Sequence, residues 1–516
     1  MEIFNVKLND TSIRIIFCKT LSAFRTENTI VMLKGKAVSN GKPVSTEEIA
    51  RVVEEKGVSE VIENLDGVFC ILIYHFNDLL IGKSIQSGPA LFYCKKNMDI
   101  FVSDKISDIK FLNPDMTFSL NIKMAEHYLS GNRIATQESL ITGIYKVNNG
   151  EFIKFNNQLK PVLLRDEFSI TKKNNSTIDS IIDNIEMMRD NRKIALLFSG
   201  GLDSALIFHT LKESGNKFCA YHFFSDESDD SEKYFAKEYC SKYGVDFISV
   251  NKNINFNEKL YFNLNPNSPD EIPLIFEQTD EEGEEGEGQP PIDDDLLYLC
   301  GHGGDHIFGQ NPSELFGIDA YRSHGLMFMH KKIVEFSNLK GKRYKDIIFS
   351  NISAFINTSN GCSPAKQEHV SDMKLASAQF FATDYTGKIN KLTPFLHKNI
   401  IQHYAGLPVF SLFNQHFDRY PVRYEAFQRF GSDIFWKKTK RSSSQLIFRI
   451  LSGKKDELVN TIKQSGLIEI LGINHIELES ILYENTTTRL TTELPYILNL
   501  YRLAKFIQLQ SIDYKG

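Results

Sequence analysis

The sequence predicts a two-domain protein of mixed class: an α+β unit of stacked sheets over residues 1–165, then an α/β unit built on a parallel sheet over residues 171–516. Three observations point there. The chain has 516 residues, more than one ordinary core organises, because domains average roughly 150 residues. Its first third is a series of short apolar or alternating runs split by Gly, Asn and Asp. From about Thr171 apolar runs alternate with helical ones, the pattern that demands parallel strands joined by crossovers.

In the first unit, TIVMLKG, GVFCILIYHF, LLIGKSI, ALFYCKK and DIFVSD read as strands that two packed sheets would bury. Between them STEEIARVVEEKG, from Ser45 to Gly57, has a capping Ser, Glu48 three residues on and a Gly stop, which predicts a short helix. In the second unit KIALLF, SALIFHTLKES and KFCAYHF read strand, helix, strand, with Gly215 at the helix end. EKYFAKEYCSKYG and VDFISV continue the series as helix and strand. From about Ser313 the pattern is helical and rich in aromatics, as in ELPYILNLYRLAKFIQLQ.

Composition excludes several classes. Hydrophobic residues make up 42% and charged residues 24%, which fits a globular chain rather than a disordered or fibrous one. A formal charge of -6 speaks against a nucleic-acid partner. The seven cysteines are odd in number, scattered and without a CxxC pair, so neither a disulfide framework nor a zinc site is expected. The start MEIFNVKLND lacks a signal-peptide pattern, and no run of about 18 apolar residues predicts a membrane span. The expectation is a protein of a reducing cytoplasm. Between Asp280 and Asp295 nine of sixteen residues are acidic and none is basic, which predicts a solvated mobile loop; the spacing of an EF-hand is absent.

The stretch ALLFSGGLDSALIF, from Ala195 to Phe208, carries the first chemical signal. In a strand-to-helix turn the N–H groups of Ser199, Gly200, Gly201 and Leu202 can face one point, where the helix dipole adds positive potential. Glycine admits phosphate oxygens closely, and Ser199 and Ser204 offer hydroxyls. Asp203 would repel a bare phosphate, so a cation such as Mg²⁺ is implied between them. The lysine of a P-loop is absent. A Gly-Gly turn can also serve helix packing alone; the whole SGGLDS after an apolar strand is the stronger sign.

A second stretch, LLYLCGHGGDHIFG from Leu296 to Gly309, again runs from strand into a glycine turn with one aspartate, Asp305. Ligands of such sheets bind beyond the carboxyl ends of the strands, so Asp203 and Asp305 are expected to meet over one site as magnesium ligands. His302 and His306 could instead suggest a transition metal, but no third ligand is evident.

These two loops resemble the asparagine synthetase family of ATP-pyrophosphatases. In that family SGGxDS grips the pyrophosphate of ATP and a later glycine loop ending in Asp gives the second magnesium ligand. Leu65 to Leu112 is similar to the family's glutaminase-type (Ntn) sandwich, and TPFLHKNIIQHYAGLP, from Thr393 to Pro408, to its C-terminal helical segment. Glutamine-using members expose a catalytic cysteine after Met removal. Here Glu2 stands at that position and Cys18 lies in an apolar run, so the amidotransferase unit is expected to be inactive. Keeping the ATP site without the glutaminase is the habit of the β-lactam synthetases and microcin-type lasso peptide cyclases, and the chain looks most like the latter.

The resemblance implies ATP and Mg²⁺ as cofactors and adenylation of an Asp or Glu side chain of a precursor peptide. The peptide's own N-terminal amine then closes a macrolactam, and a leader-removing cysteine protease is implied as partner. His302 sits where the β-lactam-forming relatives place a catalytic tyrosine and is a candidate base; it could equally shape the turn or donate to phosphate. Arg423 to Arg449 holds seven Lys or Arg and two acids, and FWKKTKRSSS is similar to the family's active-site lysine region. Lys440, then Lys438, is the expected pyrophosphate contact, against a merely solvated basic face. Adenine is expected against Leu197, a residue near Ser225, and Cys300 or Gly301. SDESDDSE after Ser225 could serve only as a helix cap. Trp436, the single tryptophan, reads as core. Two alternatives stay open: an ammonia-dependent asparagine or β-lactam-type synthetase on a small molecule, and a non-catalytic nucleotide-binding scaffold.

Overall fold

The structure, a computed structural model, describes residues 2–8, 11–17, 21–86, 88–97, 99–130, 136–155, 160–168, 176–224, 231–251, 295–357, 363–380, 389–438, 455–474, 478–480 and 487–510. The acidic loop, apart from Asp295, lies outside them, as do Ser225 and Lys440.

The first unit is two sheets face to face. One is five-stranded, in the order Glu2–Leu8, Thr11–Phe17, Asp99–Ser103, Phe92–Lys96, Ile144–Lys146. The other is seven-stranded and runs Pro161–Asp166, Glu151–Phe155, Asp78–Lys83, Leu65–His75, Thr29–Ser39, Leu21–Arg25, with Lys42–Pro43 paired to Thr29–Ser39. Alternation along TIVMLKG explains the layering. Ile30 and Met32 join Leu72, Ile81, Tyr93, Ile100 and Val102 between the sheets. Val31 and Leu33 point the other way, against Ile49, Ala50 and Val53 of the helix Thr46–Lys56. That helix starts where the sequence predicts, with Ser45 and Glu48 capping each other's backbone N–H and Gly57 closing it at φ 88.

The second unit is a five-stranded parallel sheet in the order Asp246–Asn251, Phe218–Phe224, Lys193–Leu197, Leu296–Leu299, Lys391–Leu392. After Lys193–Leu197 the next two strands add on one side, and the strand Leu296–Leu299 then crosses to the other. This reversal lies at the carboxyl ends of the two central strands, the place where such sheets bind ligands. The helix Leu202–Glu213 is buried over ten of its twelve residues. Phe198 and Phe208, both within 1% of full burial, anchor it against Tyr239 and Phe218. Truncating either aromatic would cost about 3–5 kcal/mol.

The chain then returns to its beginning. Leu458, Ile462, Leu500, Tyr501 and Ala504, from the helices Lys455–Gln464 and Thr487–Gln510, pack on Phe92, Cys94, Phe101 and Tyr128 and cover the outer face of the five-stranded sheet. Buried charges also join the two units. Glu167 pairs with Lys398 at 3.0 Å and Asp66 with His397 at 3.2 Å. Burial pushes the Glu167 carboxyl up, whereas His397 and the Gly67 N–H outweigh burial at Asp66 and hold it down. No helix among the described residues is long and apolar enough to cross a membrane.

Candidate active site

The SGGLDS turn stands at the end of the central strand. Gly200 takes φ 73, a left-handed turn that glycine allows, and Gly201 caps the helix Leu202–Glu213. The four N–H groups are not all turned outward. Ser199 N–H donates to Ser204 Oγ at 3.3 Å and Gly201 N–H to Ser199 Oγ at 3.4 Å, while the two hydroxyls lie 3.2 Å apart. The turn thus holds itself with its own hydroxyls, in long contacts that a phosphate can replace.

The second loop, Cys300 to Asp305, leaves the neighbouring strand beside it. It can come this close only because of its glycines: a Cβ on Gly301 would stand 2.8 Å from Asp203 Cβ, and one on Gly304 would strike the Asp203 carboxylate. Asp203 and Asp305 are brought together. One nitrogen of Arg419 serves both, 3.1 Å from Asp203 Oδ2 and 2.5 Å from Asp305 Oδ1. With its amide turned to donate, Gln310 lies 2.9 and 3.1 Å from the two oxygens of Asp305. Arg419 also meets Asp418 at 3.2 Å, as does Arg423. Burial disfavours the Arg419 charge, yet Asp203, Asp418 and Asp305 more than offset it and hold its pKa above the usual value.

Two carboxylates converging on one cationic point are a donor set suited to Mg²⁺, provided the remaining oxygens come with phosphates. Among the described residues no cluster of three or more His, Cys, Asp or Glu could hold a metal alone.

His302 lies in the same loop. Its Nε2 is 2.9 Å from the Ala376 carbonyl, which can only accept, so the ring proton sits on Nε2 and Nδ1 keeps its lone pair. Phe380 stacks on the ring at 5.4 Å, and Thr393 Oγ1 donates to the His302 carbonyl at 2.6 Å. Burial lowers the imidazole pKa, with the Ala376 contact pulling the other way. A neutral ring with a defined acceptor nitrogen is what proton removal requires.

Leu197 ends its strand, and Cys300 and Gly301 follow directly after the adjacent parallel strand Leu296–Leu299. Lys438 is exposed, its ammonium 5.0 Å from the Phe417 ring centre. Trp436 is half-buried against Phe417, Tyr420 and Phe427. Three residues near the site were not foreseen from the sequence: Arg419, Gln310 and Lys437. The Lys437 ammonium stands 3.8 Å from the centre of Phe235, a ring that would lie 3.1 Å from a Cβ on Gly200. Lys437 stands within FWKKTK, directly before Lys438, and Lys440 lies outside the described residues.

Position 2 is Glu, paired in register with Phe17, next to Ile16, which faces Ser103. Behind Ser103, Asp104 forms an ion pair with Lys34, each 4% exposed. Cys70 lies opposite Lys34 in the ladder, and burial followed by the Asp104 charge pushes its thiol up to about 12. No thiolate is available there at neutral pH. Cys18 lies outside the described residues.

The asparagine synthase family matches residues 184–267, which hold the SGGLDS turn. The chain is 99% identical over 516 residues, the whole of both proteins, to the microcin J25-processing protein McjC of Escherichia coli. Among solved structures, the glutamine phosphoribosylpyrophosphate amidotransferase from B. subtilis complexed with ADP and GMP shares 13% identity at a TM-score of 0.19, over 46% of this chain and 49% of that one. An allosteric regulatory enzyme of purine biosynthesis shares 10% at a TM-score of 0.19, over 44% of this chain and 62% of that one. Likeness that low bears on neither fold nor function.

Proposed function

The chain belongs to the asparagine synthase-type family of the microcin J25-processing protein, and from that premise we propose how its site closes a peptide ring. The enzyme is an ATP-dependent amide ligase acting on a microcin precursor peptide. At neutral pH an amine and a carboxylate form a salt, because oxide is not a leaving group. The Asp or Glu side chain is therefore first adenylated by ATP, with pyrophosphate released. The peptide's N-terminal amine then attacks the acyl carbon, AMP departs and the lactam C–N bond forms.

The phosphates lie on the turn Ser199, Gly200, Gly201, Ser204, and the adenine against Leu197, Cys300 and Gly301, with Ser225 at the next strand end. Asp203 and Asp305 would hold Mg²⁺, which when bound would offset the charge gathered on the phosphates. Arg419 pairs with both carboxylates, at the point where such a cation would be held. Lys437, with Lys438 and Lys440 from the same run, meets the departing pyrophosphate. His302 takes the amine proton on Nδ1. An α-amine with a pKa of about 7.7–8.0 is partly neutral near pH 7, so orientation is the larger task. That amine exists only after a leader is cut away, so a protease, of the cysteine class by the family's habit, acts first. The work is done in the cytoplasm, where ATP is present.

The observation that carries this reading is the meeting of Asp203 and Asp305 on one nitrogen beside the SGGLDS turn. Incubating the protein with leader-free precursor, ATP and Mg²⁺ should give a product lighter by one water, with AMP and pyrophosphate in equal amounts. ADP in place of AMP, or turnover only with free aspartate and ammonia, would refute it.

A further inference from the structure

We propose that the sandwich domain, which carries Glu2 at its second position, fixes the candidate base of the other domain, with Asn149 and Gln86 as positioning residues for His302. The proposal rests on the reading of His302 as proton acceptor.

Two chains of contacts run from the sandwich to this one residue. In the first, Asn149 Nδ2 donates to the Ser377 carbonyl at 3.0 Å and to Ser377 Oγ at 2.9 Å. Ser377 Oγ in turn donates to the Ile85 carbonyl at 2.7 Å, so this fully buried serine is gripped from two loops of the sandwich. Asp166 adds an ion pair to Lys374 at 2.6 Å, one turn earlier on the same helix, Pro364–Ala378. Between these points sits Ala376, whose carbonyl receives the His302 ring. In the second chain, Gln86 Nε2 donates to Asn184 Oδ1 at 2.7 Å and Asn184 Nδ2 to the Pro394 carbonyl at 3.1 Å. The residue before that proline, Thr393, donates to the His302 backbone carbonyl.

His302 is thus held at its ring and at its backbone by two separate segments, the first tied one residue away to the sandwich directly and the second through Asn184. The ring tie matters chemically. Only while the Ala376 carbonyl stays at Nε2 is the proton confined there and the Nδ1 lone pair aimed for the amine. A drift of about 1 Å in such a group can cost roughly a hundredfold in rate. The retained domain thereby has a task in the reaction through the contacts it makes.

The test uses the full-length protein with leader-free precursor, ATP and Mg²⁺, and follows two steps apart: ATP–pyrophosphate exchange for adenylation and lactam formation for the whole reaction. Asn149→Ala should lower the kcat of lactam formation about tenfold, leave the KM for ATP and the exchange rate near wild type, and add no further loss in the His302→Ala background. Asn149→Gln, which keeps the donor, should recover part of the rate. Should Asn149→Ala not fold, Gln86→Ala, at the head of the other chain, is read in the same way. A wild-type kcat, an equal loss in exchange, or losses that multiply in the double variant would overturn the positioning role. Full lactam formation by His302→Ala alone would instead overturn the reading of His302 as base.

Discussion

Arg419 donates from one nitrogen to Asp203 at 3.1 Å while its backbone is held in the left-handed region at φ 53. A non-glycine residue in such a conformation costs on the order of 1–3 kcal/mol and persists only where its surroundings demand it. Here the demand is electrostatic: Asp203, Asp305 and Asp418 surround a guanidinium that is 5% exposed.

Arg419→Met should therefore destabilise the nucleotide-free protein by about 3–5 kcal/mol, the cost of leaving buried carboxylates without a counter-charge. Mg²⁺ alone should then raise the Tm of the variant more than that of the wild type, because the position between the aspartates is open to it. Thermal unfolding with and without the ion decides this. Equal shifts in both proteins would mean that Arg419 is no stand-in for the cation.

Gly304→Ala should abolish ATP–pyrophosphate exchange while leaving the sheet intact. The added Cβ would collide with the Asp203 carboxylate, so the loop carrying Asp305 must retreat. Losing the shared cation position removes several kcal/mol of charge stabilisation, a rate loss of about a hundredfold or more. Far-ultraviolet circular dichroism would be unchanged, and exchange at saturating Mg²⁺ near the wild-type rate would show that the two loops need not touch.

Acid should weaken the fold through two buried histidines. His209 bonds the Tyr239 hydroxyl at 2.6 Å and His369 the Ile307 carbonyl at 2.9 Å, and burial pushes both imidazoles down to about 4. Their folded pKa values lie below the ordinary value of about 6.5, so the unfolded chain binds more protons as the pH falls. Their contribution is complete above about pH 6.5 and is lost on descending toward 4, by roughly 3 kcal/mol at most for each. Urea midpoints measured over that range should fall for the wild type and fall less for His369→Gln; parallel curves would assign the acid loss elsewhere.

How much of this was legible in the sequence follows from how local each signal is. The turn from Leu197 to Ser204 and the capped helix Thr46–Lys56 were legible because strand, glycine and cap stand within a few residues of one another. The meeting of Asp203 with Asp305 was legible through topology, since strand order alone puts both turns at one crevice. Arg419 was not, because its left-handed backbone has no glycine to announce it and its partners lie far back in the chain. Glu493–Gln510 read as helical, but no periodicity tells which sheet it covers, and Leu500 and Ala504 turn out to pack on Phe92 and Phe101.

The same limit governs the choice of lysine. Counting along FWKKTK favours Lys440 and Lys438, but distance along a chain does not say which ammonium faces the turn. Lys438 extends over Phe417, whereas Lys437 lies over Phe235, the ring that backs Gly200. Arg423 donates to the carbonyls of Phe435 and Lys437 and so fixes the backbone from which that side chain leaves. Lys437→Ala should accordingly lower the kcat of ATP–pyrophosphate exchange about a hundredfold, the scale for losing one charged donor to a developing anion. Lys438→Ala should cost less than tenfold, as expected of an exposed cation. Measuring exchange for both variants at one ionic strength separates them, and the reverse order would return the pyrophosphate contact to Lys438.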